Sequence, residues 1–332
     1  MPISALISSR TTLCLLSVIF IVLFNFSMTN TSAAYIAGTL GADNYIDTYP
    51  VTFFALGNAL GMPLCNPLIS RLGAVRVLKV CLVLFLFASI LCPLSQSFYQ
   101  IILFCLLQGF FSGPLLPLAN RILARMHEEH RDTLAIFTLQ ISAVTPIVST
   151  SFAGWISYNF HWHWIFLVNV PFVLMQLYFF HFIFNKDIPI ASGSFNKKNY
   201  AFYSIAIFCI VSAIILGQYL DWDRSFTVMS LFIVGGFFLI VYILSDVNHP
   251  SPILNLKLFK RFHFSFATSI LSILFSSYFG MVLLLGLWLA LDVNYTPDWI
   301  AFLIGIMGFA SVFLGFLNSF FNRIVGLLFE IS

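Results

Sequence analysis

Polar positions along this chain are gathered into short gaps between long apolar runs. Its charged residues leave charge-free stretches at 11–42, 48–70, 80–120, 133–185, 199–220, 225–245, 262–291 and 299–322. Each stretch holds one or two helices of about 20 residues, the length that crosses a hydrocarbon core of about 30 Å. Two are too long for one span, and turn-forming segments divide them at Pro93–Gln100 (PLSQSFYQ) and Asn159–His163 (NFHWH). The pattern predicts ten spans: Leu13–Ile36, Tyr49–Ile69, Val75–Leu94, Tyr99–Ala119, Leu134–Ile156, Trp164–Phe184, Ala201–Leu220, Thr227–Ser245, Phe264–Leu291 and Trp299–Phe321.

The sign of the charges gives these spans a direction, because Lys and Arg collect on the cytoplasmic side. Arg10 precedes span 1, Arg71, Arg76 and Lys79 follow span 2, and Arg121, Arg125 and Arg131 follow span 4. Lys186, Lys197 and Lys198 follow span 6, Lys257, Lys260 and Arg261 follow span 8, and Arg323 follows span 10. The alternate loops hold Arg224 among Asp43, Asp47, Asp221, Asp223, Asp292 and Asp298. Both termini are therefore expected in the cytoplasm. Met1–Arg10 and the apolar run after it lack a small-residue cleavage site and read as an uncleaved first span.

Composition places the chain in lipid. With 60% hydrophobic and only 8% charged residues among 332, it has too little polar surface for a water-soluble domain, which carries about 25% charge. The 40 Phe suit helix faces turned to acyl chains. The net charge of +3 is explained by the loops and implies no nucleic acid. Cys14, Cys65, Cys81, Cys92, Cys105 and Cys209 all sit in or beside apolar runs with no C-x-x-C pair, so they read as small hydrophobes. His161 and His163 lack a nearby carboxylate or thiol and make a poor metal site. Neither a metal, a cofactor nor a catalytic constellation is expected.

Two inner connections are long. Residues 187–199 (DIPIASGSFNKKN) read as a flexible linker, and residues 246–262 (DVNHPSPILNLKLFKRF) as a short amphipathic segment along the membrane surface.

Several strings carry a family resemblance. Residues 154–171 (GWISYNFHWHWIFLVNVP), 107–117 (LQGFFSGPLLP), 249–262 (HPSPILNLKLFKRF) and 286–301 with its Tyr295-Thr-Pro turn lie in matching order. They resemble the fourteen-helix drug/proton antiporters of the major facilitator superfamily, the EmrB/QacA type, and the likeness covers nearly all of the chain. It implies an all-α polytopic membrane protein of the major facilitator fold. Residues 1–185 would form a complete N-terminal six-helix bundle, and 186–263 a cytoplasmic linker with two extra transmembrane helices. Residues 264–332 would supply the first two helices of a C-terminal bundle, which reads as truncated because the family continues through four more. Two such bundles rock about a site near the bilayer midplane.

The resemblance also points to particular residues, with departures. Arg71, Gly73 and Arg76 match an inner-loop latch, whereas Asn66 and Ser70 replace its Gly and Asp and Ala74 and Val75 replace cations. Span 1 carries Asn25, Ser27, Thr29 and Asn30 where the family has an Asp-containing string, and Cys105 in span 4 stands in place of an Arg ahead of Gln108. Losing both charges together costs far less than leaving one unpaired. In span 5, Pro146 and Gly154 keep the antiporter motif's outline while Ser149 and Thr150 replace its central Gly-Pro. Asn25, Ser27, Thr29, Asn30, Gln108, Ser149 and Thr150 are candidates to line a substrate cavity; equally, they are the groups that hydrogen-bond helices together. Gly109, Gly113 and Pro114, with Pro146 and Gly154, are candidates for close helix packing.

The expected function is transport of a small amphipathic compound across the plasma (inner) membrane by alternating access, of the multidrug-efflux type and proton-coupled as the resemblance implies. Its partners would be the lipid bilayer and an unidentified small molecule. The alternative is a truncated remnant or membrane subunit without transport of its own, self-associating to complete the second bundle.

Overall fold

The computed structural model describes residues 9–42, 47–184, 195–217, 219–220, 222–247, 249, 252–296, 299–300, 302–307 and 309. Asp43, Lys186, the linker at 187–194, Asp221, Pro250, Pro297, Asp298 and most of span 10 with Arg323 lie outside them. Among the described residues the regular structure is helical. Nine helical segments among the described residues are long and apolar enough to cross a membrane, and they fall on the first nine predicted spans. Residues 299–300 and 302–307 begin a helix where the tenth is expected.

Span 1 is one helix, α1 (Arg10–Thr39), capped at its start by the Ser9 hydroxyl, which accepts from the Thr12 amide. Span 2 is divided into α2 (Tyr49–Gly61) and α3 (Cys65–Leu72) by a 3-10 turn over Met62–Leu64. Pro63 causes the division, since it lacks the amide hydrogen that would close the helical turn. Span 3 is α4 (Ala74–Leu91), and span 4 is α5 (Phe98–Ser112) and α6 (Leu115–Met126), interrupted at Gly113 and Pro114. Span 5 is α7 (Arg131–Asn159), which runs through Pro146 unbroken. Span 6 is α8 (His163–Leu167) and α9 (Asn169–Ile183). The turns read at Pro93 and at Asn159 are both present.

The first six spans share one core, centred on α1. Leu15, Ile19, Phe54, Phe85, Phe166 and Phe180 are buried in it. Lipid tails are as apolar as these side chains, so close fit and hydrogen bonds hold the spans together more than water exclusion does. The tightest fit is between spans 2 and 4. A methyl group on Gly109 would lie 2.0 Å from the Phe54 carbonyl oxygen, and one on Gly57 2.1 Å from that of Leu106. Methyl groups on Gly61 and Gly113 would likewise collide with the opposing backbone, at 2.0 Å from Phe110 O and 2.5 Å from Asn58 O. Two Gly-x-x-x-Gly faces are thus pressed together.

Spans 7 and 8 are α10 (Lys197–Gly217) and α11 (Phe226–Val247), an antiparallel hairpin. Span 9 is α12 (Phe262–Leu291), which touches span 1 through an edge-on contact of Phe279 with Phe26, ring centroids 5.1 Å apart. Two expectations for the connections change. Lys197, Lys198 and Asn199 belong to α10 rather than to a linker, and Asp246 belongs to the last turn of α11, where its carboxylate is fully buried. Residues 256–260 form a 3-10 turn before α12, exposed from Lys257 onward.

Candidate functional site

Asn25 lies midway along α1 with its amide facing spans 3, 4 and 6. Its Nδ2 donates to Gln108 Oε1 at 3.2 Å, and Gln108 Nε2 donates to Asn25 Oδ1 at 3.3 Å and to Ser89 Oγ at 2.7 Å. Asn169, the first residue of α9, donates from Nδ2 to the same Asn25 Oδ1 at 2.5 Å. All four side chains are completely buried. The result is an uncharged polar knot that joins spans 1, 3, 4 and 6. A buried amide without partners would cost about 1–3 kcal/mol, and the reciprocal pair removes most of that cost. Asn169 Oδ1 is the exception, buried with no partner.

The break in span 6 positions Asn169. Pro171 restricts the backbone just after the turn at Val168, and the helix restarts with the Asn side chain aimed at α1. Gln108 and Gly109 are neighbours on α5, so the close approach of spans 2 and 4 is adjacent to the knot. Asn58 Nδ2 donates to Ser112 Oγ at 3.1 Å along the same seam.

The remaining candidates separate into a second group between spans 1 and 5. Thr31 Oγ1 lies 3.2 Å from Thr150 Oγ1, and Ser32 Oγ lies 3.1 Å from Ser157 Oγ. Ser149 donates to the Pro146 carbonyl and Thr29 to that of Asn25, so both serve their own helix. Ser27 Oγ is buried without a partner, while Asn30 is half-buried. Of the two readings the sequence left open, helix–helix hydrogen bonding describes the observed contacts of Asn25, Gln108 and Thr150. A separate cleft of about 380 Å³ lies between spans 4 and 5, lined by Asn120, Leu123, Arg131, Leu134, Thr138 and Leu139 among others.

At the end bearing the basic loops, Gly73 takes φ 85°, a value that favours glycine, and turns the chain from α3 into α4. Arg71 and Arg76 flank it and are exposed. Asn66, at the latch position held by Gly in the resembled family, accepts a hydrogen bond from Arg121. Lys79 donates to the Phe184 carbonyl at 3.4 Å, and Thr12 Oγ1 meets His127 Nε2 at 3.1 Å. This end is therefore tied across spans 1, 2, 3, 4 and 6.

The sequence reading missed Ser89, Asn169, Gly57 and Gly61. The glycines were legible as the Gly-x-x-x-Gly of LGNALG in an apolar run. Asn169 was visible only as part of a family string, and Ser89 resembles any other serine.

A six-span bundle of apolar helices, bent at prolines and glycines and joined by buried polar side chains, defines a polytopic membrane protein with a transporter fold. Tetrameric PepTSo2, a solved structure, shares that fold with a TM-score of 0.51 at 15% identity, over 71% of this chain and 54% of its own. The chain belongs to the Major Facilitator Superfamily, whose model matches residues 15–329. It is 28% identical to the fatty acid resistance protein FarB of Neisseria gonorrhoeae, over 94% of this chain and 62% of that protein. It is 30% identical to the multidrug export protein EmrB of Haemophilus influenzae (87% and 57%) and of Escherichia coli strain K12 (92% and 59%). The chain thus spans about three fifths of the length of these relatives.

Proposed function

We propose that this chain forms the first bundle, the added hairpin and the start of the second bundle of an exporter of small amphipathic compounds working by alternating access. Similarity to export and resistance proteins along nearly the whole chain carries the reading. Ten spans with both termini in the cytoplasm follow from the alternation of basic and acidic loops. The cavity it would enclose faces spans 1, 4 and 5, with Ser27, Asn30 and Thr150 beside the path. An uncharged knot replaces the charged pair of the resembled antiporters, and no Asp or Glu occurs within the charge-free stretches of spans 1–6. Proton coupling therefore has no carboxylate to use midway along spans 1–6. Transport rather than catalysis is the work we assign to it.

The test is dye efflux from proteoliposomes holding the folded chain, with and without a pH gradient. Efflux that is unchanged by the gradient is expected; absence of flux from well-folded protein would overturn the reading.

A further inference from the structure

Spans 7 and 8 are attached to the first bundle by groups that the proline in span 2 makes available. Without an amide hydrogen on Pro63, the carbonyl four residues earlier, that of Ala59, loses its helical partner. Such a group must find another donor inside a membrane. Tyr203 of α10 supplies it, its hydroxyl donating to Ala59 O at 3.1 Å, and Tyr200 donates to the next carbonyl, Leu60 O, at 3.0 Å. Near the opposite end of the same pair of helices the direction reverses, and Tyr49 of α2 donates to Ile215 O at 3.3 Å. Span 7 is thus fastened to span 2 at two levels, separated by about 22 Å along a 15-residue helical interval.

The hairpin is closed by a second set of bonds centred on Asp246. Asn199 Nδ2 donates to Oδ1 at 3.1 Å and the Tyr242 hydroxyl to Oδ2 at 3.1 Å. The Ile253 and Leu254 amides donate to the same carboxylate at 3.0 and 3.3 Å, and Ser245 donates to Asn199 Oδ1 at 2.6 Å. The Tyr203 and Tyr242 rings meet edge-on at 5.4 Å, joining the two sets. Contacts therefore continue from the bend in span 2 to Leu254. Beyond it the character changes: residues 257–261 are exposed, and the described hydrogen bonds of 255–261 are local backbone ones such as Leu258 N to Asn255 O.

We propose that spans 7 and 8 are a fixed part of the first bundle, fastened by tyrosine hydroxyls to the carbonyls at the Pro63 bend, and that the joint on which the later spans move is the segment 255–261. The attachment stands on contacts alone; only the word joint rests on the alternating-access reading. The linker before span 7 then connects two parts of one rigid unit.

Hydrogen exchange of the full chain in lipid nanodiscs tests this without any transport assay, so a failed flux measurement leaves its outcome readable. Peptides covering 197–254 should exchange as slowly as those covering 49–72, with 255–261 the fastest part of 197–291. Tyr200→Phe with Tyr203→Phe should speed exchange at 59–64 and 197–204 by about fivefold, the effect of losing one net hydrogen bond at each carbonyl. Tyr178→Phe, on an exposed face of span 6, should change nothing. Asp246→Asn should loosen 252–254 while the six-span core stays protected. Unchanged exchange in the double tyrosine variant would overturn the attachment. Protection at 255–261 equal to that at 252–254 would overturn the joint.

Discussion

Spans 4 and 9 have the same mean hydropathy, yet more than half of the most apolar part of span 4 is buried in the protein and none of span 9 is. Apolar content directs both helices to the bilayer. What separates them is where the small and polar side chains lie. On α5, Gln108, Gly109 and Ser112, with Gly113 just beyond, fall on adjoining helical positions and are all buried against spans 1, 2 and 3. On α12, Ser269, Ser272 and Ser276 are also a helical turn apart, but all three are exposed. A hydroxyl stripe with no facing helix among the described residues gives no packing there. The glycines show the same contrast, for a methyl group on Gly109 would lie 2.0 Å from backbone whereas one on Gly280 would have nothing within 4 Å.

The strongest test of that contrast is to fill both glycines. Gly109→Leu places its first side-chain carbon against the Phe54 carbonyl, which belongs to backbone and cannot rotate away. Overpacking of this kind costs about 1–3 kcal/mol, and more where the backbone must move. The expected outcome is loss of most monodisperse protein on fluorescence-detected size exclusion, with Gly57→Leu behaving alike. Gly280→Leu should leave the profile unchanged. Equal losses at Gly109 and Gly280 would end the distinction between the two helices.

A smaller effect is expected in the polar knot. Gln108→Leu keeps the volume roughly constant but leaves Asn25 Nδ2 without its acceptor and removes a donor from Ser89. Hydrogen bonds between membrane helices contribute only about 0.6 kcal/mol on average. An abandoned buried amide costs more, so a loss of about 2 kcal/mol is expected in the unfolding free energy. Asn25→Leu with Gln108→Leu should cost less than the two separate losses added together, because the double variant strands fewer polar groups. On span 9, Ser272→Ala should change stability by less than about 0.5 kcal/mol. Strict additivity at positions 25 and 108 would show that the knot is not a unit.

The same contrast explains which parts of the molecule were legible. The spans could be read because an excluded charge is visible one residue at a time, and the breaks at Pro93 and Asn159 because turn chemistry is local. The buried role of Asn25 and Gln108 was half visible, since an amide in an apolar run must be either cavity lining or a helix–helix bond. Choosing between them requires knowing that Ser89 and Asn169 stand opposite, 64 and 144 positions from Asn25. Asp246 was read as a loop charge for a related reason. Its donors come from Asn199, from Tyr242 and from two amides further along, a cage that no local pattern announces.

The smallest effect concerns the basic end of the six-span bundle, where His127 contacts Thr12 at 3.1 Å. Burial holds its pKa below the ordinary imidazole value, and the nearby His130 lowers it further. A histidine whose folded pKa is depressed favours its neutral form in the fold. Its contribution is complete above the unfolded value of about 6.5 and is lost as pH falls through that value toward the folded one. The melting temperature should therefore decline more steeply between about pH 7 and pH 5 in the natural chain than in His127→Gln, which retains a hydrogen-bonding partner for Thr12 but cannot titrate. The exposed Arg125–Glu128 pair beside it is present in both proteins and contributes little to the difference. Parallel curves for the natural chain and His127→Gln would mean that the tie between spans 1 and 4 at this end does not depend on a neutral ring.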